Sequence, residues 1–403
     1  MDDAGSSEIP SLHRSFILPG FVLTLLLRML TSSLLIIIPL FMSYSLRVPA
    51  SNLGDYILLL WAGNAVGVIA TVGWVKRHAA SSLVGFGMLA AAMLGFAFFA
   101  VSSADVGFLA ILAGVGMGMA QPFLPVLMHL DSGVEDPYKG IGYYSVALGV
   151  GLIAGPVVAW VLESIYGGAV GYTWIFLLLF AASAAGLVSV VLRVRSSHEE
   201  NAPEFVAHPL VLGQWIAALR IRGFLDAFNL NLMYSLLLPV VLSYGGVYAG
   251  ARYGLSPAGA YLLFAVVFAL SVLIRGGMTR LRIGGRISLP IAGFSLVASF
   301  IAMSFGPNLT VFIIGMLSFA IPHALILPET KYRALTSVNG ELIMNASYAF
   351  QASSGVAEFI TPAAAVAIIF YAGISRLFAA MFPLAILSML YILFLYRGAW
   401  KSP

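Results

Sequence analysis

Apolar runs of about 20 residues, the length that crosses a bilayer core as a helix, occupy nearly all of this 403-residue chain. They fall at 16–44, 56–75, 82–101, 106–130, 142–165, 172–194, 223–249, 259–278, 288–305, 309–327, 342–371 and 377–396. In hydrocarbon every backbone N–H and C=O must be satisfied inside the protein, so only helices and closed barrels can span. Long apolar runs without alternation select the helix. Hydrophobic residues make up 61% and charged residues 9%, against roughly 45–50% and about 25% in soluble domains. The expected fold class is therefore an all-α membrane protein with twelve transmembrane helices, and the lipid bilayer is its first partner.

The basic residues support this count, because Lys and Arg concentrate in cytoplasmic loops. With both termini cytoplasmic, sixteen of the twenty fall on that side, Arg47, Arg252 and Arg376 fall outside, and Arg28 lies within a helix. The net charge of +4 reflects this bias and points to no nucleic acid. The polar start, 1–14, precedes an apolar run too long for a signal-peptide core, so that run is expected to remain as the first span. A plasma (inner) membrane location follows from the same reading.

The two halves of the chain resemble each other. Pro39-Leu40-Phe41-Met42-Ser43-Tyr44 recurs as Pro239-Val240-Val241-Leu242-Ser243-Tyr244. At a shift of 205, Ser51, Gly54, Tyr56, Leu58 and Arg77 meet Ser256, Gly259, Tyr261, Leu263 and Arg282. At 206, Gly149, Val150 and Pro156 meet Gly355, Val356 and Pro362. The polar stretch 193–208 lies between the copies, and 209–222 reads as an amphipathic surface helix. The expected organisation is a six-helix bundle at 1–194, a linker at 195–222 and a second bundle at 223–403. Repeats of this kind are typical of secondary transporters, whose halves rock about a site between them.

Two motifs, in the fifth run and in the loop between the eighth and ninth, carry a family resemblance, and a glycine-rich stretch of the fourth, which lacks the family's arginine, favours close packing and a bend. The fifth apolar run contains Gly151-Leu-Ile-Ala-Gly155-Pro156, small residues for close helix approach followed by a break in the backbone ladder. The fourth holds Gly114-Val-Gly116-Met-Gly118 and Gln121-Pro122. Between the eighth and ninth, Gly277-Met-Thr-Arg-Leu281-Arg282-Ile-Gly284-Gly285-Arg286 keeps the glycines and arginines of a recurring loop signature, with Leu281 in place of its aspartate. The earlier copy, Gly73 to His78, is more divergent. With these motifs, the helix count, the linker and the repeat, the chain resembles the major facilitator superfamily. The resemblance implies alternating access and gating roles for Gly155, Pro156, Gly277, Arg282 and Arg286. The fifth-helix motif implies an antiporter, although Ala159 and Trp160 replace its final glycines.

Charges inside the bilayer cost on the order of 2.5–3.5 kcal/mol on insertion scales, so those that remain face a cavity or a partner. Arg28 offers a planar fork for a substrate carboxylate or phosphate; equally, it is a structural counterion. Asp226 either binds a proton or pairs with Arg275. Glu358, between Gly355 and Pro362 with no basic residue within one turn, is the sharper proton-coupling candidate, its rival role being a hydrogen-bonded structural acid. Asn64, Gln121, Asn229, Asn231, Tyr234, His323 and Gln351 stand at cavity-like depths as substrate-binding candidates, with packing between helices as the alternative.

No Walker loop, HExxH or GxSxG motif appears, and the chain has no cysteine. Neither an ATP-driven pump nor an enzyme is expected, and no metal or cofactor. The expectation is a monomeric secondary transporter of a small organic molecule, proton-coupled and exporting amphipathic compounds. The alternatives are uptake or exchange of an organic anion, and a non-transporting receptor of the same fold.

Overall fold

The computed structural model describes residues 13–72, 78–121, 124, 137–197, 212–281, 285–338 and 343–398. Twelve long helices and one short one account for nearly all of them. They are α1 (His13–Tyr44), α2 (Leu53–Val72), α3 (His78–Phe98), α4 (Ser103–Ala120), α5 (Pro137–Tyr166), α6 (Gly168–Ser197), the short α7 (Leu212–Leu219), α8 (Arg222–Tyr253), α9 (Pro257–Arg280), α10 (Gly285–Phe305), α11 (Leu309–Thr336), α12 (Ile343–Ala372) and α13 (Leu377–Gly398). All but α7 are long and apolar enough to cross a membrane. Many large side chains on their outer faces, such as Leu273, Phe370 and Phe394, are exposed, as lipid contact requires. The number of crossings is even, so α1 begins and α13 ends on one side, here the terminal side; the other is the far side.

Helix ends follow local chemistry. Ser102 and Asp105 form a reciprocal capping box at the start of α4, and the Asn308 side chain accepts from Val311 N at the start of α11. Gly254 ends α8 at φ 72°, in the left-handed region that glycine reaches without strain. One expectation shifts: α11 runs on to Thr336, past the expected limit at 327. Pro328 does not stop it, because the carbonyl it leaves without a backbone partner, Ala324 O, accepts from Arg275 Nε at 3.4 Å. Pro322 likewise frees Ser318 O, which accepts from Ser295 Oγ at 2.8 Å.

Packing obeys the repeat. In the first half α2 packs on α4, α3 on α4 and α6, and α1 on α5; in the second, α9 packs on α11, α10 on α11 and α13, and α8 on α12. Contacts between halves are paired too, α5 with α9 and α12 with α2, while α1 meets α8. The molecule is thus two six-helix pseudo-repeats about a central axis.

Glycine sets the tightest crossing. A Cβ on Gly114 or Gly118 would lie 2.0 Å from Leu60 O or 2.1 Å from Asn64 O of α2, and one on Gly63 or Gly67 would lie 2.3 Å from a carbonyl of α4. Gly116 turns the other way, where a Cβ would lie 2.7 Å from Gly85 O of α3. The expected amphipathic helix at 209–222 is present as α7. Its buried Ala218 packs with Phe224 and Ala227 of α8 and Ala349 and Phe350 of α12, while Ile216 of the same helix is exposed.

Candidate functional site

Between the halves lies a cavity of about 120 Å³. Helical periodicity selects its walls. On α1, Arg28, Thr31, Ser32 and Leu35 share one face; on α8, Tyr234, Ser235, Leu238 and Leu242; on α12, Phe350, Gln351, Ser354 and Glu358. Trp61, Gln121, Leu148 and Leu152 complete the first half's share, and Arg275, His323, Leu327, Pro328 and Lys331 the second's.

Of the residues singled out in the sequence, the cavity gathers Arg28, Gln121, Tyr234, His323, Gln351 and Glu358. Arg28 comes from the first half and Glu358 from the second. Neither makes a hydrogen bond or an ion pair within 4 Å among the described residues, yet Arg28 acts electrostatically on both Glu358 and His323. The Tyr234 hydroxyl meets His323 Nδ1 at 2.7 Å, and His323 Nε2 is buried without a partner. Phe319 stacks on both rings. The position of Arg28 is set from behind, because a Cβ on Gly151 of α5 would lie 2.9 Å from Arg28 Cβ and 2.4 Å from Leu25 O.

Other candidates lie elsewhere. Asn64 is buried at the α2–α4 crossing. Asn231 donates to Ser353 Oγ at 2.7 Å and Ser354 Oγ at 2.8 Å, tying α8 to α12. Asp226 and Asn229 belong to an α8–α13 cluster: Tyr391 Oη donates to Asp226 Oδ1 at 3.3 Å, and Asn229 Nδ2 donates to Tyr391 Oη at 3.4 Å. The alternative Asp226–Arg275 pair does not form, because Arg275 turns into the cavity and donates to Ala324 O and His323 O. Gly155 and Pro156 sit in the same α1–α5 packing, where a Cβ on Gly155 would lie 2.1 Å from Ser33 Oγ. Gly277 faces open space and Arg286 is exposed, while Arg282 lies outside the described residues. The Glu329 carboxylate, which accepts from Arg333 Nε at 3.0 Å, crowds Gly285 at the start of α10, where a helix N-terminus favours negative charge.

Sequence reasoning missed three charged residues. Arg275 and Lys331 line the cavity, although the positive-inside rule alone places both among the cytoplasmic basic residues. Glu163, near the far end of α5, is 8% exposed and is not among the intramembrane charges that the sequence singles out.

The far side is sealed between halves. Tyr44 Oη donates to Leu255 O at 3.0 Å, Leu40 packs on Gly246, and Tyr244 on Gly54. With that side closed by these contacts and cations drawn into a cavity between two repeats, the arrangement can hold a small solute between the halves.

Comparison with known proteins agrees with this geometry. The family model of the Major Facilitator Superfamily matches residues 15–340. No curated protein matches the sequence. Among solved structures, a POT family transporter in complex with a thioalcohol-conjugated peptide superposes with a TM-score of 0.73 at 13% identity, covering 96% of each chain. A D-xylose-proton symporter gives 0.73 at 14%, covering 96% of this chain and 97% of that one. The nucleoside transporter NupG gives 0.72 at 10%, covering 95% and 100%. At such identities the likeness is one of fold.

Proposed function

This chain belongs to the Major Facilitator Superfamily, and from that premise we propose that it carries a small organic anion with an apolar body by alternating access, with a proton exchanged at Glu358. The observation that carries this reading is Arg28, a cavity cation that makes no hydrogen bond or ion pair among the described residues and faces Glu358 from the opposite half. A guanidinium fork left open in a partly dry cavity suits a carboxylate or phosphate-like group. Arg275 and Lys331 add positive potential on the same walls. The leucines at 35, 148, 152, 238 and 242 with Trp61 offer a hydrocarbon surface for the rest of the solute.

This combines two expectations, keeping the amphipathic body of the export reading and taking its charge from the anion reading. Glu358 and Arg28 lie on different halves, so each change of access alters both what faces the carboxyl and what faces the cation. A proton on Glu358 and an anion on Arg28 are thereby tied to the same motion.

The test is flux in proteoliposomes with a panel of monocarboxylates from acetate to octanoate, plus benzoate, with and without a pH gradient. Gradient-dependent flux that is lost in Glu358→Gln is the expected result. Flux of neutral or cationic amphiphiles alone, unaffected by Arg28→Gln, would overturn the anion reading.

A further inference from the structure

Glu163 is the one carboxyl buried among the described residues; it belongs neither to the cavity nor to an ion pair, and its surroundings are built. The α5–α6 turn is made by Gly167 and Gly168, both at positive φ, 61° and 54°, which aims the Gly168 N–H at Glu163 Oε1, 3.0 Å away. The other oxygen, Oε2, is buried and has no hydrogen-bond partner. Room for it exists because residue 171 is glycine: a Cβ there would lie 2.4 Å from Oε2. Two tyrosines act on the carboxyl, Tyr172 of α6 from its own half and Tyr261 of α9 from the other. Both rings are buried, and their hydroxyls approach one another without meeting hydrogen-bond geometry. Beyond them Tyr44 of α1, which bonds across the far-side seal, acts on both tyrosines. The titratable groups that act on Glu163 from α6 and α9 are therefore phenols, with a third, Tyr44 of α1, behind them, and no cation among the described residues acts on it.

We propose that Glu163 is a second proton-exchanging carboxyl, one that links closure of the far side to its own protonation. A carboxylate shut away with an unpaired oxygen forfeits its solvation, so in this proposal the sealed seam favours the neutral acid. Parting α5 and α6 from α9 withdraws Tyr261 and lets water reach Oε2, where the carboxylate is solvated. The sign follows by linkage: the closed form binds one more proton than the open form, so raising the pH favours far-side opening. Within the window between the two protonation equilibria the open-to-closed ratio rises up to tenfold per pH unit.

The inference rests on alternating access, and its test keeps the two apart. The chain has no cysteine, so Val101→Cys and Pro307→Cys, exposed far-side positions on opposite halves, give a background-free pair for spin labels in liposomes. Using a Glu358→Gln background removes the cavity carboxyl. There the long-distance population should grow with pH along a one-proton slope. Adding Glu163→Gln, or Glu163→Met of similar volume, should flatten the dependence while both distances stay populated. An unchanged slope after either substitution, or a flat profile with both distances present in Glu358→Gln alone, overturns the proposal. A single closed distance at every pH, with and without benzoate, would instead overturn the alternating-access reading beneath it.

Discussion

Arg28→Gln separates the two roles open to this residue. If the guanidinium holds the substrate anion, its removal takes away a charge-assisted hydrogen bond worth about 1.5–3 kcal/mol. At about 1.4 kcal/mol per factor of ten, KM for the transported anion should rise roughly 10- to 150-fold. Stability should hardly change, because Arg28 gives up no hydrogen bond or ion pair among the described residues and its stem still packs beside Gly151; a shift below about 0.5 kcal/mol is expected. A structural counterion to Glu358 would behave oppositely: breaking a buried pair costs about 3–5 kcal/mol, and Glu358→Gln in the same chain would restore most of it. Initial rates in proteoliposomes give KM, and thermal unfolding of the purified single and double variants gives stability. Large destabilisation with unchanged KM, rescued in the double variant, would refute the binding role. Arg28→Lys refines the result, since it keeps the charge but loses the bidentate fork and should recover only part of the affinity.

Three further outcomes can be checked directly. Gly114→Ala places a Cβ 2.0 Å from Leu60 O and should cost about 1–3 kcal/mol by overpacking, whereas Gly276→Ala meets nothing within 4 Å and should be neutral or stabilising by up to about 1 kcal/mol; thermal unfolding of both decides. Asn231→Ala removes the two bonds to Ser353 and Ser354 and should cost about 0.6–1.7 kcal/mol, the range for interhelical bonds in membranes, measured by the same assay. Tyr44→Phe deletes the bond to Leu255 O, worth about 0.5–1.5 kcal/mol, and should raise far-side accessibility, read by thiol labelling of Val48→Cys, roughly two- to twelvefold.

The helices were legible because each apolar run must satisfy its own backbone, and the pairing of halves because matched prolines and glycines survive at equivalent depths. The site was legible only in part. Arg28, Glu358 and Asp226 gave the same signal, a charge in an apolar run, yet Asp226 meets Tyr391 on α13 while the others meet the cavity. Depth along a helix is written in the sequence; the face it turns to its neighbours depends on how neighbours pack. Arg275 failed for a related reason, since near a helix end it satisfied the loop rule and only the carbonyl freed by Pro328 shows why it turns inward. Glu163 hid behind the Gly167-Gly168 turn for the same want of a third dimension.

The glycine crossings of α2, α3 and α4 have a mechanical consequence. Backbones in direct contact leave no compressible layer of side chains between them, so these three helices act as a stiff plate. A helix of about 20 residues is roughly 30 Å long, and a tilt of about 15°, as in other quaternary rotations, swings each end by about 4 Å in opposite senses. A bundle that bent would lose that displacement halfway across the membrane; a stiff one delivers it to the other end, so that under the alternating access proposed above unlatching one mouth is the same event as shutting the other.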